Sequence, residues 1–255
     1  MAGSMPFSAV VQSYRRDHLV PAHDHAFPQL LYASSGLMRV ESPRGAWVVP
    51  PQWAVWLPPQ CVHETKMLTD VLLSPLYLER SGEWEHMDCA FVEVSPLLRE
   101  LIAVIAKDAD KPVSRRDELI AQLIVEELAS ERREGWPIAM PQDLRLKALC
   151  RKVLNEPSAH ATLDDLSYSV GLSPKTAARL FEKELGMSFR RWRETVHVAT
   201  AVALFSQGMP VKAVASHLGY TASSFSVMFR RHSGNTPKEL KGLLQTRDAE
   251  AALED

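Results

Sequence analysis

The stretch Thr162-Leu-Asp-Asp-Leu-Ser-Tyr-Ser-Val-Gly-Leu-Ser-Pro174 decides the fold of the C-terminal part of the chain. Thr162 and Asp165 have the spacing of a capped helix start, in which a hydroxyl and an acid satisfy free backbone N–H groups. Gly171 breaks that short helix, and Ser173-Pro174 opens another, because serine caps a helix and proline fits its first turn. The stretch predicts two short helices joined by a tight glycine turn.

The same plan appears a second time further along the chain. Apolar residues at helical spacing over Val211–Leu218 precede Gly219, and Phe225 and Phe229 then anchor a further helix. Between the two repeats, Phe189–Phe205 predicts one long helix of about 25 Å at ~1.5 Å per residue. Such a spacer would hold two helix-turn-helix units about one DNA turn (~34 Å) apart. The sequence therefore predicts an all-α tandem helix-turn-helix domain.

Several motifs in this region resemble those of the AraC/XylS family of bacterial transcription regulators. They are Phe181-Glu-Lys-Glu-Leu-Gly186, Val214-Ala-Ser-His-Leu-Gly-Tyr220, Phe229-Arg-Arg-His-Ser-Gly234 and Thr236-Pro237. His197 stands where the family usually has arginine, and the loop from Gly219 to Phe225 is one residue shorter than usual. The resemblance implies a sequence-specific, double-stranded-DNA-binding transcription regulator that acts as a homodimer and contacts RNA polymerase if it is an activator.

The charge distribution favours the same interpretation. Pro141–Arg247 carries 16 Lys and Arg against 8 Asp and Glu, whereas Met1–Met140 carries 13 against 19. A basic part suits a polyanion, and the acidic part indicates a different task. No apolar run reaches the ~18 residues of a membrane span, so no membrane partner is expected. Three widely spaced cysteines predict free buried thiols in a reducing compartment, and we expect a cytoplasmic protein.

Two sets of side chains are predicted to contact DNA. Long cations of the first unit suit base edges in the major groove, whereas the outward residues of the second unit are all short. We therefore expect the first unit to carry most of the base specificity. The predicted base-contacting residues are Lys175, Thr176, Arg179, Ser223, Ser224 and Val227. The predicted phosphate-contacting residues are Arg190, Arg191, Arg193, Lys212, Arg230, Arg231 and Lys238.

The N-terminal part has short apolar runs separated by Gly, Pro and Ser clusters, which predicts a β-sandwich or barrel. His23, His25, Gln29 and His63 resemble the ligand positions of the two cupin motifs, with Gln29 in place of the acidic ligand. Three imidazoles suit a divalent transition metal. The alternative is a metal-free pocket or structural histidines, and no cofactor is predicted outright. Tyr32, Trp47 and Trp56 are expected to line a pocket for a small-molecule effector, although simple core packing is the alternative.

Together these patterns predict an α+β chain with a cupin-like barrel in residues 1–94 and a helical pair in 95–134. The pair either mediates dimerisation or packs on its own barrel. A linker over 135–141, the DNA-binding domain over 142–247 and an acidic tail over 248–255 would follow. The predicted function is a non-enzymatic transcription regulator controlled by a small-molecule or metal ligand. The alternatives are a cupin-type metal-dependent enzyme fused to a DNA-binding adaptor, and an architectural DNA-binding protein with an unliganded barrel.

Overall fold

The structure is a computed structural model that describes residues 7–9, 11–51, 53–78, 88–107, 114–130, 138–158 and 160–242. The chain divides into two compact units, Met1–Gly135 and Trp136–Asp255. The first is rich in strands and the second is helical, which confirms the predicted α+β class. The finer boundaries predicted from the sequence, including the acidic tail over 248–255, stay a prediction, and the tail lies outside the described residues.

The strands of the first unit form two antiparallel sheets. Within its described residues they are β1 Phe7–Ala9, β2 Gln12–Tyr14, β3 Leu19–His23, β4 Gln29–Ser35, β5 Met38–Ser42, β6 Gly45–Val49, β7 Trp53–Leu57, β8 His63–Met67, β9 Val71–Leu73, β10 Leu76–Leu78 and β11 Ala90–Glu93. The larger sheet has the order β1-β10-β4-β7-β11, with β2 and β9 attached through β4. The smaller sheet has the order β3-β8-β5-β6. The unit is thus a cupin-like pair of facing sheets.

A first apolar core lies between the two sheets, because alternate residues of each strand face inward. It contains Leu31 and Ala33 of β4, Met38 and Val40 of β5, and Trp47 of β6. Val55, Leu57 and Met67 complete the same cluster from the neighbouring strands. This arrangement confirms the strand-like pattern predicted for the N-terminal part.

A second core covers the opposite face of the larger sheet. Helices α1 (Pro96–Lys107) and α2 (Arg115–Ser130) pack there, with Leu98, Ile102 and Ile124 fully buried. From the sheet, the cluster receives Leu30, Tyr32, Trp56 and Leu76. The helical pair therefore packs on its own sheet, as one of the two alternatives predicted. The predicted turn over Asp108–Pro112 lies outside the described residues.

The second unit is built from helices with well-defined N-terminal caps. They are α3 Leu144–Asn155, α4 Leu163–Tyr168, α5 Pro174–Leu185, α6 Phe189–Ser206, α7 Val211–His217 and α8 Ala222–Ser233. Thr162 and Asp165 form the predicted capping box, and Ser173 caps α5 with proline in its first turn. Gly171 and Gly219 have φ angles of 70° and 76°, which favour glycine at the two predicted turns.

Helix α6 connects the two helix-turn-helix units, which consist of α4 with α5 and of α7 with α8. Its 18 residues agree with the predicted helix over Phe189–Phe205. Trp192 is fully buried near its start, and its indole Nε1 donates a hydrogen bond of 2.7 Å to the carbonyl oxygen of Ala139. Ile138 is also fully buried, so residues 138–140 of the predicted linker belong to the packed body of this unit.

Candidate DNA-binding surface and histidine cluster

Helix α5 exposes two long cations from the first helix-turn-helix unit. Lys175 and Arg179 are exposed and lie four residues apart, so they project from the same face of the helix. Ala177, Leu180 and Phe181 are buried on the opposite side. Thr176 is half-buried, and its hydroxyl lies 2.8 Å from that of the capping Ser173. Thr176 therefore belongs partly to the helix cap, whereas the two cations are presented outward.

Helix α8 exposes a different chemistry from the second unit. Ser223 and Ser224 are exposed, but their hydroxyls lie 3.1 and 2.7 Å from the hydroxyl of Thr221, which caps the helix. Val227 is 69% exposed, an unusual fraction for a branched apolar side chain on a helix anchored by buried Phe225. The face therefore offers short hydroxyls and one apolar patch.

The predicted phosphate contacts fall into two groups. Arg191, Lys212, Arg230 and Lys238 are exposed, as a phosphate contact requires. Arg190, Arg193 and Arg231 instead make contacts within the protein. Arg193 donates to the carbonyl oxygen of Ala161 at 2.6 Å, and its guanidinium lies 4.9 Å from the centre of the Phe189 ring. These contacts hold Arg193 between parts of the domain and leave it less suited to DNA than predicted.

The carboxylate of Glu194 collects the other two arginines, and the sequence analysis missed it. Its side chain is only 9% exposed and accepts hydrogen bonds from Arg190 at 3.2 Å and Arg231 at 2.6 Å. His232 Nε2 lies 2.7 Å from its second oxygen. Burial alone would raise the pKa of Glu194, but these three partners outweigh it and hold the pKa below its ordinary value.

Glu194 therefore ties the last turn of α8 to α6. Because Arg231 and His232 belong to the same helix as Val227, the carboxylate fixes the orientation of the second recognition helix. The available sequence signal was the i,i+4 spacing of Arg190 and Glu194 on the predicted long helix. The contact with α8, separated from Glu194 by 37 and 38 residues, has no local signature.

His197 occupies the family's arginine position and is fully buried. Its Nδ1 shares a hydrogen bond of 2.9 Å with the hydroxyl of Tyr220, the residue that follows the second turn glycine. Burial, reinforced by the charge of Arg193, lowers the pKa of His197 to about 3. The imidazole is therefore neutral at physiological pH and acts as a core hydrogen-bonding group.

In the first unit, His23, His25 and His63 form a compact cluster. Their candidate ligand atoms all lie within 4.8 Å of one another. Nδ1 of His23 lies 2.8 Å from the carbonyl oxygen of Pro21, and Nδ1 of His63 lies 2.9 Å from that of Cys61. A neutral imidazole that donates from Nδ1 to a carbonyl keeps a lone pair on Nε2, which is the usual tautomer of a metal ligand.

Burial keeps this cluster uncharged. Desolvation, reinforced by the neighbouring imidazoles, lowers the pKa of His63 to about 4. Burial and then His23 also hold the pKa of His25 below its ordinary value. Three neutral imidazoles in one place have the donor chemistry of a site for a divalent transition metal.

Gln29 lies beside the cluster through Tyr77. The two residues are paired across β4 and β10, and the Tyr77 ring meets that of His25 edge-on at 5.2 Å. Gln29 is 2% exposed, and its Oε1 has no hydrogen-bond partner within the described residues. A buried amide oxygen without a partner is costly, so this atom is a candidate for contact with a bound ligand.

The three residues predicted to line one effector pocket lie in two different cores. Trp47 is in the cluster between the sheets, whereas Tyr32 and Trp56 are in the cluster under α1 and α2. The reason is strand alternation: Leu31 and Tyr32 are neighbours on β4 and necessarily face opposite sides. The predicted trio therefore cannot line a single pocket, and the alternative of simple core packing describes these residues.

The cysteines also differ from the prediction of three buried thiols. Cys150 is fully buried, but Cys61 and Cys89 are only half-buried, and their sulfur atoms lie 3.3 Å apart. The hydrogen bond from Cys89 lowers the pKa of Cys61 to about 7, whereas that of Cys89 is raised. No sequence signal announced this pair, because 28 residues separate its members.

Comparison with known proteins agrees with these features. A family described as a helix-turn-helix domain matches residues 166–242. The chain is 28% identical over 240 residues to the HTH-type transcriptional regulator NimR of Escherichia coli, covering 92% of this chain and 87% of that protein. It is 28% identical over 151 residues to the arabinose operon regulatory protein of Salmonella typhimurium, covering 57% and 53%. A structure of ToxT from Vibrio cholerae covers 93% of this chain and 98% of its own at 14% identity, with a TM-score of 0.39.

The tandem helix-turn-helix units and these matches define the class of the protein, a DNA-binding transcription regulator. The named relatives are transcription regulators, a class that is generally not enzymatic. The motifs quoted above and the similarity to the arabinose operon regulator identify the chain as a member of the AraC/XylS family. Among the described residues, no helix is long and apolar enough to cross a membrane.

Proposed function

We propose that this regulator reads its operator mainly through α5 and uses α8 mainly to hold the DNA backbone. The observation that carries the proposal is the contrast between the two exposed faces: Lys175 and Arg179 on α5 against two serines and Val227 on α8. Arginine and lysine discriminate guanine through its O6 and N7 atoms, whereas short hydroxyls and an apolar side chain discriminate less.

The test uses an operator obtained by selecting bound sites from random DNA. Arg179→Ala should weaken binding to this operator by ~1–3 kcal/mol and relax the preference at one base position. Arg116→Ala, which removes an equally exposed charge from α2 of the first unit, is the matched control and should leave base preference unchanged. Unchanged affinity and preference in Arg179→Ala would refute the assignment to α5.

We further propose that the histidine cluster is the ligand-sensing site, with a divalent transition metal as the first candidate ligand. The Nδ1 contacts of His23 and His63 with backbone carbonyls support it, because they leave Nε2 free to bind a metal. Gln29 supplies a neutral amide where an anionic ligand would bind more strongly, so the affinity should be modest. A ligand regulates only if it binds two states of the protein unequally.

Metal content and affinity test this site directly. Titration of the purified chain with Zn²⁺ should show one site, which His63→Ala abolishes. His18→Ala is the matched control, because His18 is exposed and stacks on Tyr14 rather than on the cluster. Equal Zn²⁺ binding in wild type and His63→Ala would exclude the metal and leave a metal-free effector pocket. Catalytic turnover with a bound metal would instead support the cupin-type enzyme.

We also propose that the protein is a homodimer that pairs through α1 and α2. After these helices have packed on their own sheet, Leu97, Leu119 and Leu123 remain 48%, 50% and 41% exposed. Exposed leucines on neighbouring helices favour association with a second copy. Leu119→Glu should shift sedimentation from dimer to monomer, whereas Leu19→Glu, on exposed β3, should not. A cytoplasmic location and, for an activator, contact with RNA polymerase complete the proposal.

A further inference from the structure

Two cysteines meet at the edge of the first unit, next to the histidine cluster. Cys61 lies in the connection between β7 and β8, and Cys89 immediately precedes β11. Their sulfur atoms are 3.3 Å apart, and the hydroxyl oxygen of Ser42 lies 3.8 Å from the sulfur of Cys89. Both side chains are half-buried, so small solutes reach them, whereas Cys150 of the second unit is fully buried.

The distance between the two sulfurs suits a bond that has not formed. A disulfide has an S–S distance of about 2.05 Å, so an approach of roughly 1.3 Å is required. Neither cysteine belongs to a strand, and small changes of side-chain rotamer and loop backbone supply a shift of this size. The pair is therefore poised for oxidation within one chain.

The connection that carries Cys61 also positions two of the histidines. The backbone N–H of Gln60 donates to the carbonyl oxygen of His25 at 2.7 Å. The carbonyl oxygen of Cys61 lies 2.9 Å from Nδ1 of His63. Any displacement of Cys61 toward Cys89 therefore acts on the backbone of His25 and on the ring of His63.

We propose that Cys61 and Cys89 are an oxidation site that hydroperoxides convert into a reversible disulfide, and that this bond alters the geometry of the adjacent histidine cluster. In the first step, a thiolate sulfur attacks one oxygen of hydrogen peroxide, the O–O bond breaks and a sulfenic acid forms as the first water leaves. The second sulfur then attacks the first, the S–O bond breaks and the second water leaves. The two sulfurs lose two electrons in total, peroxide gains them, and the thiol protons end in water.

The formation of this bond is independent of any assigned function. Its consequence for ligand binding rests on the proposed sensing role of the histidines. Two separate readouts therefore distinguish failure of the disulfide from failure of the sensor.

The first readout is the covalent chemistry of the full-length protein. The reduced chain, with its three cysteines, is treated with a small excess of hydrogen peroxide and analysed under denaturing conditions without reductant. We expect one reactive thiol to remain, a mass lower by two hydrogens, and a peptide that joins Cys61 to Cys89. Cys61→Ser and Cys89→Ser should each abolish the cross-linked peptide. Cys150→Ala should leave it unchanged.

Other covalent outcomes would overturn the inference. Three thiols remaining after peroxide treatment would show that the pair does not react. Cross-linking between chains, or independent oxidation of each cysteine to sulfinic acid, would show that the two sulfurs do not combine with each other.

The second readout is Co²⁺ binding, followed by its visible absorption. Oxidation should change the Co²⁺ affinity several-fold, a dithiol reductant should restore it, and Cys89→Ser should be insensitive to peroxide. A disulfide without any change in Co²⁺ affinity would refute the link to the histidines. A thiolate-to-cobalt absorption band in the reduced protein would show that the cysteines are metal ligands instead. If Co²⁺ does not bind at all, the metal-sensing proposal fails while the thiol count still decides the disulfide.

Discussion

Replacement of Glu194 by glutamine tests how the second recognition helix is held. The carboxylate is 9% exposed and contacts His232, which is 18% exposed, and Arg231, which is 53% exposed. A hydrogen bond to a charged group contributes about 1.5–3 kcal/mol, and glutamine retains part of it. Arg190 is 75% exposed, so solvent screening leaves its pair near the ~0–1 kcal/mol of a surface ion pair. We therefore expect Glu194→Gln to lose about 2–3 kcal/mol of unfolding free energy at neutral pH.

Thermal unfolding of the full-length protein, followed by circular dichroism, measures this loss. For a domain of this size, the second unit should melt roughly 10 °C lower. Operator affinity should fall while base preference stays unchanged, since Lys175 and Arg179 lie on the other recognition helix. The matched control is Glu156→Gln, an exposed carboxylate of the same unit that should change neither property.

The pH dependence provides a second check. Because the pKa of Glu194 in the folded protein lies below the ordinary value of 4.5, its contribution is complete above that pH. It is lost as the pH falls through the folded-state pKa, so wild type and Glu194→Gln should converge in strong acid. Equal melting temperatures at neutral pH, or a difference that persists below pH 3, would refute the reasoning.

Three further substitutions test separate features. Gly36→Ala should destabilise the first unit severely, because φ is 87° and an added Cβ would lie 2.1 Å from the carbonyl oxygen of Asp70; Gly186→Ala, with open space, should cost only about 1 kcal/mol, and similar denaturant midpoints would contradict this. His197→Gln should remove a loss of stability that wild type shows as pH falls from 6.5 toward 3, since the unfolded chain binds this proton first; an unchanged pH profile of unfolding would exclude it. Arg191→Ala should make the salt dependence of DNA binding shallower with unchanged base preference, and a changed preference would disprove a phosphate contact.

Local chemistry made the second unit readable from its sequence. The capping box at Thr162, the serine and proline before α5 and the turn glycines each act within a few residues, so their spacing predicts the helix starts. The long helix α6 followed from its uninterrupted pattern between Phe189 and Gly208. The same logic could not reveal Glu194, because its partners on α8 come together only when the helices pack.

The first unit was harder to predict beyond its class. Leu30, Leu31, Tyr32 and Ala33 are all apolar because both faces of β4 are covered, and such a run hides which residues share a side. The sequence therefore identified the strands but joined Trp47 to Tyr32 and Trp56 in a pocket that strand alternation forbids. The histidine cluster was better placed, because His23, His25 and His63 do come together. Whether they bind a metal stays a prediction.

The exposed and buried positions of α5 alternate so cleanly that they can be varied independently. Lys175, Ala178 and Arg179 are exposed, whereas Ala177, Leu180 and Phe181 carry the packing. A combinatorial library that randomises the first three positions would leave the domain's interior intact. Retargeting this scaffold to new promoters is therefore an engineering problem confined to less than two turns of one helix.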